Sequence, residues 1–304
     1  MAYETVRAAG IRALFSAMFD AVQWRLLLFW LMLLGLPTAV VAIPLWYTLG
    51  GMLDHSVHAT AWAQQFDPLM FGDMVRGMAP HAAWLGGTAV LALLLTLMLL
   101  PFLDGMIVGS GRARHALGFS MLLQNGLVEY GRMSRIMLWS LLPYLAAVLL
   151  AASALHLARQ HASLAVLESQ ASMGLRLARW TAVVLFVLAQ AVVESSRAAF
   201  IADTGLRSAT RALGRGFRQV WQRPFRTLLF YLLVTGLGLL MAGSLGFVRM
   251  HVRAAGSDLW LALVLSQLIV LTLGWMRVAR LFALAKVARL LSRGRRAGSL
   301  PPSL

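Results

Sequence analysis

The chain has 304 residues, of which 60% are hydrophobic and 12% are charged, and its formal net charge is +16. Soluble globular domains are about 45–50% apolar and about 25% charged, so this composition excludes an ordinary soluble domain and indicates a polytopic membrane protein. The chain has no cysteine, which excludes disulfides and thiolate-ligated metals. We expect no nucleic-acid partner, because no known nucleic-acid-binding motif accompanies the positive charge.

Six apolar segments have close to the roughly 20 residues that a helix needs to cross about 30 Å of hydrocarbon. Backbone polar groups in lipid must find partners within the segment itself, which favours helices. The sequence therefore predicts an all-α fold, a polytopic membrane bundle of six transmembrane helices. The predicted spans are Leu26–Trp46, Trp84–Leu103, Ile136–Leu155, Trp180–Ala199, Thr227–Phe247 and Leu259–Met276.

The basic residues outside the apolar segments predict the orientation. If the six spans alternate in direction, 21 of the 27 Arg and Lys residues fall on the side that holds both termini. Basic residues concentrate on the cytoplasmic side of membrane proteins. We therefore predict cytoplasmic N- and C-termini and a multi-pass protein of the bacterial cytoplasmic (inner) membrane.

Amphipathic patterns precede the first and the fifth spans. Before the first span, Leu14, Phe15, Met18 and Phe19 follow the spacing of one helix face. Before the fifth span, one face is apolar and the other carries Arg, which predicts helices at the membrane interface that face anionic lipid head groups or a partner. The alternative is a helix packed beneath the bundle. The apolar face there comprises Leu206, Leu213, Phe217, Val220 and Trp221, and the basic residues are Arg207, Arg211, Arg215, Arg218, Arg223 and Arg226.

Two similar segments indicate an internal repeat. EYGRMSRIMLWSLL (129–142) and VWQRPFRTLLFYLL (220–233) align without gaps, with an aromatic residue and two Arg before an apolar run. We predict one membrane domain over residues 1–290, divided into units 1–110, 111–204 and 205–290, each an interfacial helix plus two spans. The alternative is that any helix entering from the cytoplasm needs Arg and an aromatic residue at its boundary. The basic segment 291–304 is predicted to be a disordered tail.

Small residues recur every fourth position in the fifth span, at Gly238, Ala242 and Gly246. This pattern permits close approach of two membrane helices. We expect it to serve packing within the chain rather than dimerisation, because a six-helix bundle has many internal contacts to make.

Ionisable residues near the ends of the even-numbered spans predict a polar cluster of Asp104, Glu194, Arg197 and Arg277. Glu194 lies about 21 Å along the fourth span at 1.5 Å per residue, in the cytoplasmic third of the bilayer. Intramembrane ionisable groups are candidates for function, such as binding a proton, an ion or a lipid head group. The alternative, favoured by the shallow depth, is that Arg197 or Arg277 neutralises Glu194 in a structural ion pair.

Evidence for chemistry is weak elsewhere in the sequence. His55 and His58 in the outer loop form a His-x-x-His pattern, which is common by chance and predicts a metal site only weakly. The segment GSGRARHALG (109–118) lacks the third glycine of a dinucleotide-binding loop and follows a membrane span rather than a strand. We expect no cofactor and no enzymatic activity.

The plan of a basic amphipathic helix followed by two spans resembles six-span bacterial inner-membrane families, loosely the membrane domain attached to some glycerophosphodiester phosphodiesterases. The segment VWQRPFRTLL (220–229) and the Arg-rich helix before it are the closest to a motif. No soluble catalytic domain accompanies them, so the resemblance implies no activity. We expect an accessory or scaffold protein whose Arg-rich cytoplasmic face contacts anionic lipid or a protein partner. The alternative is a small transporter or lipid-handling protein with a pathway near Asp104, Glu194 and Arg277.

Overall fold

The computed structural model describes residues 12–54, 56–57, 68–113, 115–164, 168–252 and 258–298. Helix accounts for 92% of the structure and no strand is present in these ranges, which confirms the all-α prediction. Within these ranges ten α-helices follow in chain order, with a short 3₁₀ helix at Ala79–His81. They are α1 (residues 12–20), α2 (Trp24–Leu53), α3 (Pro68–Gly77), α4 (Ala82–Arg112), α5 (Phe119–Trp139), α6 (Leu141–Leu164), α7 (Glu168–Ala202), α8 (Ala209–Gln222), α9 (Pro224–His251) and α10 (Asp258–Gly298).

In the part of the chain that the structure describes, six helical segments are long and apolar enough to cross a membrane, in agreement with the predicted number of spans. Each contains one of the apolar segments found in the sequence and extends beyond it. The apolar side chains of these helices are largely exposed, as in lipid-facing surfaces, and the chain is built as a multi-pass membrane protein. The six are Trp24–Leu53, Ala79–Arg112, Phe119–Leu164, Ser172–Ala202, Pro224–His251 and Asp258–Leu290.

The third membrane segment is interrupted at Ser140, where α5 ends and α6 begins. Pro143 lies just beyond, and its ring removes one N–H donor and clashes with the carbonyl four residues earlier. The interruption therefore matches the sequence. Pro37, Pro44 and Pro101 lie inside continuous helices.

The chain separates into two compact units. Unit 1 comprises Met1–Val22, Asp104–Thr235 and Arg277–Leu304, and unit 2 comprises Gln23–Leu103 and Gly236–Met276. The predicted division into three sequential units stays a prediction. Helix α10 includes residues 291–298, which the sequence places in a tail, and residues 299–304 lie outside the described ranges.

Unit 2 is held together by close helix approaches. A Cβ added to Gly238 in α9 would lie 2.6 Å from Sδ of Met276 in α10, and one added to Gly274 would lie 2.8 Å from Cδ1 of Trp30 in α2. Gly238 and Ala242 are buried, whereas a Cβ at Gly246 would meet nothing within 4 Å. Two of the three small residues therefore lie where α9 packs inside the chain.

Unit 1 contains a core in which three helices are buried on all sides. The buried segments are residues 104–110 of α4, 191–201 of α7 and 278–285 of α10. Glycines permit the close packing around them. A Cβ at Gly105 would lie 3.0 Å from the carbonyl oxygen of Gly126 in α5, and one at Gly111 would lie 2.8 Å from Ile201 and from Phe282. This core positions the polar residues described next.

Candidate functional site

The four residues predicted to form a polar cluster lie together in the core of unit 1. Asp104 is in the last third of α4, Glu194 and Arg197 are in α7, and Arg277 is in α10. Asp104 is 3% exposed and Glu194 is 2% exposed. Charges removed from solvent to this extent must be paired, because an isolated buried charge is very costly.

Asp104 is the carboxylate that joins all three helices. Arg277 donates from Nη2 to both carboxylate oxygens, at 2.8 and 2.9 Å, and from Nε to Oδ1 at 3.1 Å. The Nε atom of Arg197 lies 3.3 Å from Oδ2. Fork-shaped contacts between Arg and a carboxylate are strong and directional. The pair therefore fixes α10 against α4, and Arg197 adds α7.

Two guanidiniums lie within ion-pair distance of Glu194, those of Arg197 and Arg280. Nη1 of Arg197 donates to Oε1 at 3.2 Å, and Nη2 of Arg280 lies 3.8 Å from the same oxygen. The guanidinium of Arg280 also lies 5.4 Å from the ring centroid of Tyr231 in α9, a cation–π distance. Arg280 was not among the residues predicted for the cluster, although its spacing of three residues from Arg277 puts both on one helix face.

We call Asp104, Glu194, Arg197, Arg277 and Arg280 the buried ion cluster. Its three guanidiniums and two carboxylates leave one excess positive charge. Among the described residues, Oε2 of Glu194 has no hydrogen-bond partner, and neither has Nε of Arg197 or Arg280. Since an unmade hydrogen bond to a buried charged group is costly, Glu194 is the least satisfied member of the cluster.

Glu129 forms a second buried group that the sequence did not reveal. Its Oε1 accepts from Nη1 of Arg112 at 2.6 Å and from Nη1 of Arg132 at 2.9 Å. Glu129 is 3% exposed, so both guanidiniums are needed to compensate its charge. The spacing of Glu129 and Arg132, three residues apart within the repeated segment, was the only available signal.

Guanidinium groups also bind the ends of α4 and α7. Nε of Arg112 donates to the carbonyl of Phe200 at 2.9 Å. Nη2 of Arg289 donates to the carbonyls of Gly111 and Ile201 at 3.2 and 3.3 Å. The last carbonyls of a helix lack partners within the helix, and cations are favourable there. These contacts lock the ends of α4 and α7 to α10.

Helix α8 packs on α7 with its small residues rather than its large ones. Ala209, Ala212 and Gly216 are buried, whereas Phe217 is 59% exposed and Trp221 is 78% exposed. In α1, likewise, Ala17 is fully buried and Phe15 and Phe19 are more than half exposed. The predicted apolar face of α8 is therefore divided: Phe217 and Trp221 are exposed, Leu213 and Val220 are half-buried, and Leu206 is buried.

Arginines are concentrated on α8 and in the residues that flank it. We call Arg207, Arg211, Arg215, Arg218, Arg223 and Arg226 the arginine face. Nη1 of Arg215 donates to Oδ2 of Asp203 at 2.6 Å. In the described part of the chain, the guanidiniums of the other five have no hydrogen-bond or ion-pair partner. The arginine face is therefore a concentration of uncompensated positive charge.

The remaining site prediction concerns metal binding. His55 and His58 lie outside the described residues. Within the described ranges, no group of three or more His, Asp or Glu side chains could hold a metal ion.

Comparison of the chain with protein-family models, with curated proteins and with solved structures finds no match. The resemblance to six-span inner-membrane families stays a prediction from the sequence.

Proposed function

We propose that the chain is a non-enzymatic accessory or scaffold protein of the bacterial cytoplasmic membrane, whose arginine face binds anionic lipid head groups on the cytoplasmic side. One observation carries the proposal. Five of the six guanidiniums of the arginine face lack any carboxylate partner in the described residues, beside exposed aromatic residues of the same helix. A helix with both features fits the boundary between head groups and acyl chains.

The charge balance favours a lipid ligand. Neighbouring guanidiniums without counter-charges repel one another, and a surface of phosphates removes that repulsion. Basic residues near an anionic leaflet gain about 1 kcal/mol each. The buried ion cluster and the Arg-bound helix ends provide the rigid base on which α8 rests, which suits a scaffold. The protein-partner version of the proposal requires an acidic surface in the place of the phosphates.

Replacing both Arg211 and Arg218 with Gln is expected to weaken binding of phosphatidylglycerol about tenfold or more, because two head-group contacts are lost. Neither side chain has a partner in the described residues, so the fold should be unaffected. The measurement is the melting temperature of the full-length protein in detergent, titrated with phosphatidylglycerol or phosphatidylcholine. The difference between the two lipids should shrink as salt is added, since salt screens exposed charges.

The matched control is the pair Arg176→Gln and Arg179→Gln in α7, which removes the same charge from two exposed arginines elsewhere in the chain. This variant should retain the phosphatidylglycerol effect. Equal losses in the two double variants, or equal stabilisation by both lipids, would overturn the lipid proposal.

A second candidate function rests on Glu194. A buried carboxylate oxygen without a hydrogen-bond partner, beside an excess positive charge, is the arrangement in which a proton or an ion could be exchanged. The candidate is a small transporter with a pathway past Asp104, Glu194 and Arg277.

Replacing Glu194 with Gln separates this candidate from a structural ion pair. We expect lower abundance and a lower melting temperature, because Arg280 loses its carboxylate and Arg197 loses one of its two. Adding Arg197→Gln should restore part of the loss by removing one unpaired charge. Unchanged abundance together with loss of proton or solute movement in proteoliposomes would instead support the transporter.

A further inference from the structure

A cavity of about 580 Å³ lies in unit 1, between α6, α7, α8 and the first residue of α9. Its volume is within the range of about 300–1,000 Å³ that is typical of small-molecule sites. Every residue in its wall is apolar, and no member of the buried ion cluster takes part. The residues that matter below are Ala146, Leu150, Leu188, Val192, Phe217 and Trp221.

The cavity is elongated along the membrane helices. Its wall runs from Pro143 to Leu150 on α6 and from Leu185 to Val192 on α7. Seven residues of helix correspond to roughly 10 Å. Both stretches lie inside candidate membrane spans. The walls therefore follow two helices at the depth of the acyl chains.

The third wall is the aromatic side of α8. The rings of Phe217 and Trp221 are stacked, with centroids 6.2 Å apart and an angle of 13° between the planes. Because acyl chains are themselves apolar, two large rings exposed to lipid gain little from the hydrophobic effect. Held parallel against a cavity, they form a fixed surface for a flexible chain.

Arg223 is a basic residue within the segment of chain that forms this wall of the cavity. Arg223 lies between Trp221 and Pro224 in the sequence, both of which line the cavity. Its backbone has left the helix, with φ −138° and ψ 60°, outside the α region that a following proline disfavours. Its guanidinium has no partner in the described residues. Arg223, whose charge is uncompensated, therefore stands in the chain between two residues of the cavity wall, at the junction of α8 and α9.

We propose that this cavity binds one acyl chain of an anionic glycerophospholipid whose phosphate is held by Arg223. The inference rests on the proposed function and assigns a defined lipid site beside the arginine face. A neutral apolar molecule would leave Arg223 uncompensated.

The test uses the full-length protein in nanodiscs of phosphatidylcholine containing increasing fractions of phosphatidylglycerol with brominated acyl chains, which quench Trp fluorescence. The signal of Trp221 is the difference between the unaltered protein and Trp221→Phe. Quenching of this signal should saturate at a mole fraction about fivefold lower for brominated phosphatidylglycerol than for brominated phosphatidylcholine, the ratio expected of one head-group cation.

Two variants address the two parts of the site. Arg223→Gln should remove the preference for phosphatidylglycerol. Ala146→Phe should abolish the saturating component, because Ala146 is exposed in the wall and a larger side chain would occupy the cavity. Ala152→Phe is the matched control, since Ala152 is exposed on the same helix outside the cavity wall and should leave quenching unchanged.

The outcomes separate this site from the proposed function. Suppose that Trp221 fluorescence in Ala146→Phe is quenched as in the unaltered protein, and that the Arg211 and Arg218 double variant loses the phosphatidylglycerol effect. The cavity site is then overturned and the proposed function stands. Equal saturation with both brominated lipids overturns the anionic site. Loss of selectivity in Arg223→Gln with intact selectivity in the double variant supports the cavity site alone.

Discussion

Replacing Asp104 with Asn is expected to lower the free energy of unfolding by about 3–5 kcal/mol, because it leaves buried guanidiniums without a carboxylate. Arg277 loses its fork-shaped pair at 2.8 and 2.9 Å, and Arg197 loses a carboxylate at 3.3 Å. The isosteric amide keeps the packing, so the loss reports charge. Unfolding of the full-length protein in mixed micelles, with melting temperature as a second readout, measures it.

The control is Asp73→Asn in α3, which removes the carboxylate of an ion pair with Arg76 at 3.7 Å. The two side chains are 74% and 87% exposed. Exposed pairs contribute little, so no measurable change is expected. The double variant Asp104→Leu with Arg277→Leu should recover part of the lost free energy of unfolding, because it also removes the guanidinium that Asp104 pairs with. Equal losses at Asp73 and Asp104, or a double variant no better than Asp104→Asn, would contradict a structural role for the cluster.

The buried ion cluster has a second consequence for the bundle. Replacing a buried ion pair by apolar residues is often neutral for stability, so net stabilisation does not by itself explain these charges. In a membrane, apolar helix faces distinguish poorly between one another and lipid. Charged contacts at fixed positions on α4, α7 and α10 select one vertical register. This role agrees with the Arg contacts that bind the helix ends.

Hydropathy predicted the six spans because the hydrophobicity that drives a helix into lipid depends directly on its amino-acid composition. The helix ends were harder to predict. Helix α10 runs from Asp258 to Gly298, whereas its apolar segment ends at Met276. Basic residues stop an apolar run without stopping a helix. Their positions near the ends of the even-numbered spans nevertheless predicted that Asp104 and Arg277 share a polar cluster, and the two residues are paired in the structure.

The sequence could not assign partners or packed faces. Glu129 was overlooked because its pairing with Arg112 bridges two helices. The packed face of α8 was unexpected because rules for soluble proteins place large apolar residues inside. Where the solvent is lipid, exposing a large apolar side chain costs no free energy, and small residues allow close contact between helices. The buried Ala212 and Gly216 beside the exposed Phe217 and Trp221 follow this rule.

Gly216 is a point of close contact between α8 and α7. A Cβ at this position would lie 2.6 Å from the carbonyl oxygen of Val192 and 2.7 Å from the backbone N of Ser196. These atoms belong to the backbone of a buried helix, so neither can move aside by a side-chain rotation. Any side chain at 216 must therefore push α8 away from α7.

Replacing Gly216 with Ala is expected to destabilise the protein by about 1–3 kcal/mol, the cost of overpacking a tight contact. Gly214 provides the control two residues away, because a Cβ there meets nothing within 4 Å. Gly214→Ala should be neutral or stabilise by up to about 1 kcal/mol through helix propensity. The measurement is the unfolding of both variants in the same micelles, with the Asp203–Arg215 side of α8 probed by limited proteolysis. If the two variants behave alike, α8 is not held against α7 at Gly216, and the rigid base proposed for the arginine face is lost with it.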